Sequence, residues 1–467
     1  MRMGKTKWTF ILVVLILDLS CKKWLDKRQN DDLAVPTTLF DLQALLDDKA
    51  HLNERVTPSM PEASADDIFL FQNTYDGLAG NHNYVAPYTW DTDPFNSDND
   101  WRLNYYPIYV ANLCLQQLKP IRRSDLNSGE WDNVKGSAHF LRAYYFLELL
   151  WTYSKAYDPA TAEADLGIVL RLKADVNDKS ARANNQQSYQ QVISDAKESA
   201  NYLPNHAIHP LRPSKAAAYG LLARIYISMR QYDSALVYAG KSLSLKSDLM
   251  DYNSDPDITA SFSGTAPPFK KYNKEVLFFT GMNGLHPVCL PDYSRVDSFL
   301  YSAYRLNDLR KTAFFRSREN NSFSFKGNYI PENDHLFTGI ATDEMILIQA
   351  ECLARVGGPN KTGDTFAALA ILNGLLMKRF QAGSFIPYTA NNPNEALMII
   401  LEERRKELTM RGLRWADLKR LNKEGRNYII KRKINGSTFI LPPNDNRYAQ
   451  PIPQEIIALT GIAQNSR

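Results

Sequence analysis

Between Phe69 and Trp101 eight aromatic rings are set among asparagines, aspartates, glycines and prolines. Trp90 and Trp101, with Tyr75, Tyr84 and Tyr88, could offer flat faces to a ligand, and Asp98 and Asn99 beside them could add hydrogen bonds. Such rings stack on the apolar C–H faces of sugars and equally line grooves for peptides, so this stretch points to binding by contact and leaves both ligand classes open. A second set of rings, Tyr293, Phe299, Tyr301, Tyr304, Phe314, Phe315, Phe323, Phe325 and Tyr329, lies some 200 residues further on.

Residues for covalent or metal chemistry are harder to find. The run from Asp91 to Asp100 departs from the EF-hand template, with Phe95 at the third ligand position and Asn96 where glycine is required. A loop calcium site is the one cofactor reading it leaves open, and no metal is assigned. His139 beside Arg142 reads as a hydrogen-bonded pair, and His206 and His209 flank a proline-bounded turn with no third ligand near. The motifs GxSxG, HExxH, the P-loop and GxGxxG are absent, so nothing marks a nucleophile, zinc or phosphate site. No enzyme is implied.

Composition bounds the rest. With 44% hydrophobic and 23% charged residues the chain is globular, and 55 basic against 51 acidic residues is too even for a nucleic-acid surface. Cys114, Cys289 and Cys352 form no disulfide framework and read as buried free thiols.

The elements that must carry the rings are helical. Tyr219, Leu222, Ala223 and Tyr226 recur at helical spacing, as do Ala235, Leu236, Ala239 and Leu243 after a polar break at Arg230 and Gln231. Small residues at the contact allow two axes to approach to about 8–10 Å, the tetratricopeptide pattern. A second pair is expected over Asp343 to Arg355 and Asp364 to Phe380, and further helices over 108–118, 131–153, 188–203 and 394–421. The 131–153 helix is apolar on two sides and should be an inner element. Glu402, Glu403, Glu407 and Asp417 stand at helical spacing from arginines and should pair with them locally. By contrast 58–106 shows no sustained period and reads as a long loop. An insertion over 251–336, with a strand at Glu275 to Thr280, interrupts the array, and the tail should pack back through Ile452, Ile456, Ile457 and Leu459.

At the N-terminus Arg2, Lys5 and Lys7 precede an apolar run from Trp8 to Leu17, far short of the about 20 residues that span a bilayer. It reads as a secretory signal peptide over 1–20. Ser20-Cys21 follows as a lipoprotein-type cleavage site, with lipid on Cys21 and a charged tether over 21–35. Residues 36–467 then form one domain.

Several segments together resemble the SusD/RagB family of nutrient-binding outer-membrane lipoproteins: Cys21 with Trp24-Leu25-Asp26, GSAHFLRAYYFLEL from Gly136, SKAAAYGLLARIY from Ser214 and YRLNDLRK from Tyr304. The resemblance continues in Gln349-Ala350-Glu351, EERRKEL with Gly412, Arg414, Trp415 and Asp417, and the closing Pro451-Ile452-Pro453-Gln454. It implies a mainly α fold, with tetratricopeptide-like helix pairs in a right-handed superhelical scaffold, long ring-rich loops and a few short strands. It also implies a non-enzymatic, lipid-anchored protein of the outer membrane that faces the cell surface. Such a protein captures an oligosaccharide and delivers it to a SusC-like TonB-dependent transporter. A tetratricopeptide adaptor would not need the rings, and a helical-toroid glycosidase would need evenly repeated hairpins and two carboxylates flanking a cleft.

Overall fold

The two halves of the helix pair at the centre of the chain bury different amounts of surface. Lys215–Ser228 is buried on nearly all sides, whereas Tyr232–Leu245 buries a single stripe of Ala235, Ala239 and Ser242. Ser214 caps the first helix by accepting a hydrogen bond from the Ala217 amide, and Arg230, at φ 61°, turns the chain into the second. Ala223, Ala235 and Ala239 are fully buried at the contact, as small residues at a crossing should be.

The computed structural model describes residues 36–467 except 94, 96–97, 285 and 358–360; the stretches read as a signal peptide and a tether, with Cys21, lie outside the described residues. In chain order the helices up to the central pair are α1 (Leu39–Leu46), α2 (Lys49–Leu52), α3 (Met60–Ser64), α4 (Gln72–Leu78), α5 (His82–Thr89), α6 (Asp98–Leu118), α7 (Ser128–Tyr153), α8 (Asn185–Tyr202), α9 (Lys215–Ser228) and α10 (Tyr232–Leu245). Beyond it come α11 (Ser298–Ala303), α12 (Arg310–Phe314), α13 (Thr342–Val356), α14 (Thr365–Met377), α15 (Pro393–Glu407), α16 (Arg414–Asn422) and α17 (Gln454–Thr460). The strands are short: β1 (Ile68–Phe69), β2 (Leu166–Val169), β3 (Arg182–Asn184), β4 (Val276–Phe278), β5 (Arg295–Val296), β6 (Phe315–Ser317), β7 (Phe323–Phe325), β8 (Ile340–Ala341), β9 (Ile430–Ile434) and β10 (Ser437–Leu441). They pair antiparallel in twos, β1 with β5, β2 with β3, β4 with β8, β6 with β7 and β9 with β10.

Each helix of the series α6, α7, α8, α9, α10 and α13 packs on the next, and α14 and α15 close the far end against α13. This is the mainly α, tetratricopeptide-like scaffold. Within it α7 is buried without interruption from Phe140 to Ser154, because α6 and α8 cover its two apolar faces. At Gly220 the helix comes so close to β8 that a Cβ there would lie 2.8 Å from Ile340 Cγ2.

A second core is built mostly of rings, including Tyr88, Tyr252, Phe269, Phe279, Tyr304, Phe314, Phe315, Phe325, Tyr329 and Phe337. Buried arginine–carboxylate pairs tie α9 and α16 to α13, and tie the residues after α14 to α15 and to the residue before β4. Arg224 holds Glu344 at 2.7 Å, Arg379 holds Glu275 at 2.8 Å and Glu407 at 2.7 Å, and Arg420 holds Glu351 at 2.6 Å.

Three expectations are corrected. The stretch 58–106 is not a loop: α3, α4, α5 and the start of α6 occupy most of it, each of the first three too short to show a period. The acidic residues of 402–417 pair only partly with neighbours on their own helix. Glu403 and Glu407 both reach Arg310 on α12, Glu407 also takes Arg379, and Glu402 is exposed. In the tail Ile452 is buried and Ile456 and Ile457 pack on the core, but Leu459 is 82% exposed, since α17 lies at the surface and turns it outward.

Candidate functional site

The two ring-rich stretches, far apart in sequence, are joined in the structure. β1 pairs with β5 in the register Ile68–Val296 and Phe69–Arg295, and the Asp297 amide donates to the Asp67 carbonyl at 2.8 Å. Nearby, His286 Nε2 lies 3.1 Å from the Asn83 carbonyl oxygen. The candidate site is the face along this seam.

Of the residues read from the sequence, only some reach it. Tyr84 is 41% exposed, and Tyr75 is half-buried with its ring 6.4 Å from Tyr88. Trp90 is 1% exposed. It sits in a left-handed conformation at the end of α5, donates from Nε1 to the Ser64 carbonyl at 3.0 Å and packs with Trp415, Leu418, Ile430 and Tyr448. The Arg432 guanidinium lies 5.0 Å from the Trp90 ring and 3.6 Å from the Tyr88 ring. Tyr88 is buried as well, its hydroxyl accepting from the Leu70 amide at 3.0 Å. Trp101 is buried against Tyr105, at 4.8 Å, and Tyr153, at 5.1 Å. Trp90 and Tyr88 are therefore corrected to core residues, because each ring face is already covered by protein, whereas Trp101, 8% exposed, packs into the helical core away from the seam and keeps one edge on a neighbouring cavity. The side chains of Asp98 and Asn99 lie outside the described residues.

The Asp-rich segment is likewise committed where it is described. Asp100 is fully buried and accepts from the Met60 amide at 2.8 Å, the Ser59 amide at 3.1 Å and Asn283 Nδ2 at 2.6 Å. Burial pushes its carboxyl above the ordinary value against these hydrogen bonds. It acts as a cap on α3, and among the described residues no His, Cys, Asp and Glu side chains converge as a metal site.

What remains at the seam comes largely from the second stretch. Tyr293 is 42% and Phe299 84% exposed, and Tyr301 and Phe323 stack at 3.6 Å with both half-buried. Phe69 and Phe71 meet edge to face at 5.4 Å, with the Arg295 guanidinium 5.8 Å from Phe71. Arg316 and Arg318 both reach Asp292, at 3.4 and 2.5 Å. Flat faces flanked by fixed charges can bind a polyhydroxylated ligand by stacking and hydrogen bonding. Tyr304 and Tyr329 do not belong to this face: both are buried, Tyr329 donating to Glu275 at 2.5 Å and Tyr304 to the Lys406 carbonyl at 2.7 Å. Phe299 and Tyr293 were visible in the sequence as rings, but Phe299 lies on a six-residue helix and Tyr293 in a turn before β5, and neither carries a pattern that tells an outward ring from an inward one.

His139 and Arg142 do form a pair, through a shared carboxylate: Asp195 accepts from Arg142 at 2.6 Å and lies 2.8 Å from His139 Nδ1. Burial opposes the Asp195 charge, but these hydrogen bonds outweigh it and hold the carboxyl below its ordinary range.

Comparison with known proteins agrees with this architecture. A family model described as SusD-like, starch-binding and associating with the outer membrane matches residues 23–227, and a SusD family model matches 342–466. A SusD superfamily protein of Bacteroides thetaiotaomicron is similar in structure at TM-score 0.72 and 20% identity, over 92% of this chain and 100% of that one. So is a protein of Bacteroides vulgatus described as a sugar-binding protein, at TM-score 0.72 and 19% identity over 92% and 99%. A laminarin-binding SusD-like protein aligns at TM-score 0.63 and 17% identity, over 91% and 97%. No curated protein matches the chain. These solved structures share the fold, and the two SusD models, which together match well over half of the chain, place it in the SusD/RagB family.

Proposed function

We propose that this protein is a non-enzymatic glycan receptor of the outer membrane, lipid-anchored through Cys21, that captures an oligosaccharide and passes it to a SusC-like TonB-dependent transporter. The observation that carries the binding role is the seam itself, where two distant ring-rich stretches are pinned together by β1 and β5 and leave Tyr84, Tyr293 and Phe299 exposed. Family membership and a laminarin-binding structural neighbour support a carbohydrate as the ligand. The buried carboxylates Glu275, Glu344, Glu351, Glu403 and Glu407 are bound to arginines rather than paired across an open cleft, which supports binding over hydrolysis.

The test is a glycan array that includes laminarin oligosaccharides, followed by titration of the best ligand into variants. An exposed stacking ring contributes about 0.5–1.5 kcal/mol beyond its buried area. Tyr84→Ala, Tyr293→Ala and Phe299→Ala should therefore each weaken binding by up to about tenfold without changing thermal unfolding. Unchanged affinity in all three would remove the seam as the site.

Anchoring and partnership are tested together in native membranes. The wild-type protein should label with a clickable fatty acid and co-purify in mild detergent with a large barrel protein, whereas Cys21→Ala should be unlabelled and released. Equal labelling of the two, or repeated isolation of the wild type alone, would count against this part of the proposal.

A further inference from the structure

Away from the seam, two adjoining cavities open along the helical row where α6 and α7 meet the strap 171–173 that follows β2. One, of about 380 Å³, is lined by Lys119, Trp131, Lys135, His139, Arg142 and Lys173. The other, of about 300 Å³, is lined by Trp101, Tyr105, Tyr109, Arg171, Lys173 and Asp175. They share Asn112 and Lys173. Asn112 fixes the strap: its Nδ2 donates to the Arg171 carbonyl at 2.8 Å and to the Lys173 carbonyl at 3.4 Å, while its Oδ1 accepts from Arg142 at 2.8 Å.

The charges here do not cancel. Arg142 is matched by Asp195 and Lys135 by Glu198, at 2.6 and 3.0 Å, so those pairs are neutral. Lys119 and Lys173 are exposed and have no carboxylate partner among the described residues. Arg171 donates to the Asp178 carbonyl and to Ser180 Oγ, keeping its charge, and Asp175 is the single unmatched carboxylate in the lining. Three cations face one anion. Beside them Tyr109 is 39% exposed and stands at the ring-lined cavity, whereas Trp101 and Tyr105 form its floor, the Tyr105 hydroxyl donating to the Val169 carbonyl at 2.9 Å.

We infer that these cavities form a second ligand site, for an acidic oligosaccharide whose carboxylate or sulfate is met by Lys119 and Lys173 and whose ring rests on Tyr109. The inference depends on the glycan-binding reading but not on the seam. A neutral glycan would gain from the ring and nothing from the lysines. A free anion would gain from the lysines and nothing from the ring. An acidic sugar uses both, and a flexible ammonium pair accommodates either a planar carboxylate or a tetrahedral sulfate.

The experiment is titration of the purified full-length protein with trigalacturonate, a chondroitin 4-sulfate tetrasaccharide and a neutral galactose trisaccharide. At least one acidic probe should bind, with its affinity falling steeply as salt is raised, because exposed charges are screened within about 10 Å at 0.1 M salt. The Lys119→Ala/Lys173→Ala double variant should bind it about tenfold more weakly or worse, and Tyr109→Ala several-fold more weakly, with the seam variants unaffected. The two acidic probes separate carboxylate from sulfate. The site is overturned if neither acidic probe binds, if the Lys119→Ala/Lys173→Ala and Tyr109→Ala variants bind the acidic probe as the wild type does, or if the acidic probe loses affinity only in Tyr84→Ala and Phe299→Ala. That last outcome would assign acidic sugars to the seam and leave the receptor reading intact.

Discussion

Arg310→Met should destabilise the protein by about 3–5 kcal/mol, a large share of the about 5–15 kcal/mol that separates folded from unfolded domains. Arg310 is fully buried and holds three carboxylates: Asp308 at 2.7 Å, Glu403 at 2.6 Å and Glu407 at 3.0 Å. Removing it strands charges in a site where water cannot replace the guanidinium. Arg379 still shares Glu407, and Lys406 still lies 2.5 Å from Glu403, so Asp308 is left with the least compensation. The deficit should depend on pH in a defined direction. Burial opposes the charge on Glu403, but Arg310 and Lys406 reverse this and hold its carboxyl below the ordinary value. A depressed carboxylate contributes stability that is present above the unfolded-state value and lost as pH falls through the folded one. The native protein therefore loses on acidification what the variant already lacks, and the difference between them should narrow below about pH 4. Chemical denaturation of both proteins at pH 7 and pH 3 measures this; an equal deficit at the two pH values would mean that packing, not charge, sets the cost.

Trp90→Ala should also act on the fold, costing about 3–5 kcal/mol as a large buried ring is deleted. The indole contributes packing with Trp415 and Tyr448 and a hydrogen bond to Ser64, and its removal leaves the Ser64 carbonyl without that donor in a buried setting. Thermal unfolding should fall markedly, while the protein that remains folded at low temperature should bind its glycan as the wild type does. Intact unfolding with lost binding would return Trp90 to the ligand site.

That case shows where sequence reasoning stops. Helices α9, α10, α13 and α14 were legible because small residues recur at a 3.6-residue period over three or four turns, and α7 because its two apolar stripes are continuous. The segment around Trp90 was not. Helices of five to eight residues show no period, and Pro61 and Pro87 read as breakers although one sits in the first turn of α3 and the other within α5. Rings carry a further ambiguity, since the same tyrosine or tryptophan suits a core or a sugar face. Here the excess of aromatics fills a second core, which left Tyr84 and Tyr75 of the first-named rings at the surface and shifted much of the candidate site to Tyr293 and Phe299. The arginine-rich motif over 402–417 was visible, but its key partner, Arg310, is about a hundred residues away in the insertion, and no local spacing rule can find it.

The three thiols of the described residues have a chemical consequence. Cys114, Cys289 and Cys352 are each at most 1% exposed, in the helical core, the ring core and helix α13 respectively. Burial pushes the Cys114 thiol up to about 12 and raises the other two well above the ordinary range. The thiolate is the species that oxidants, alkylators and disulfides attack, so while the chain is folded these sulfurs are both out of reach and in the wrong protonation state. Oxidants then act on the opened chain and not on the native one, and irreversible oxidation becomes a record of how often each core has opened.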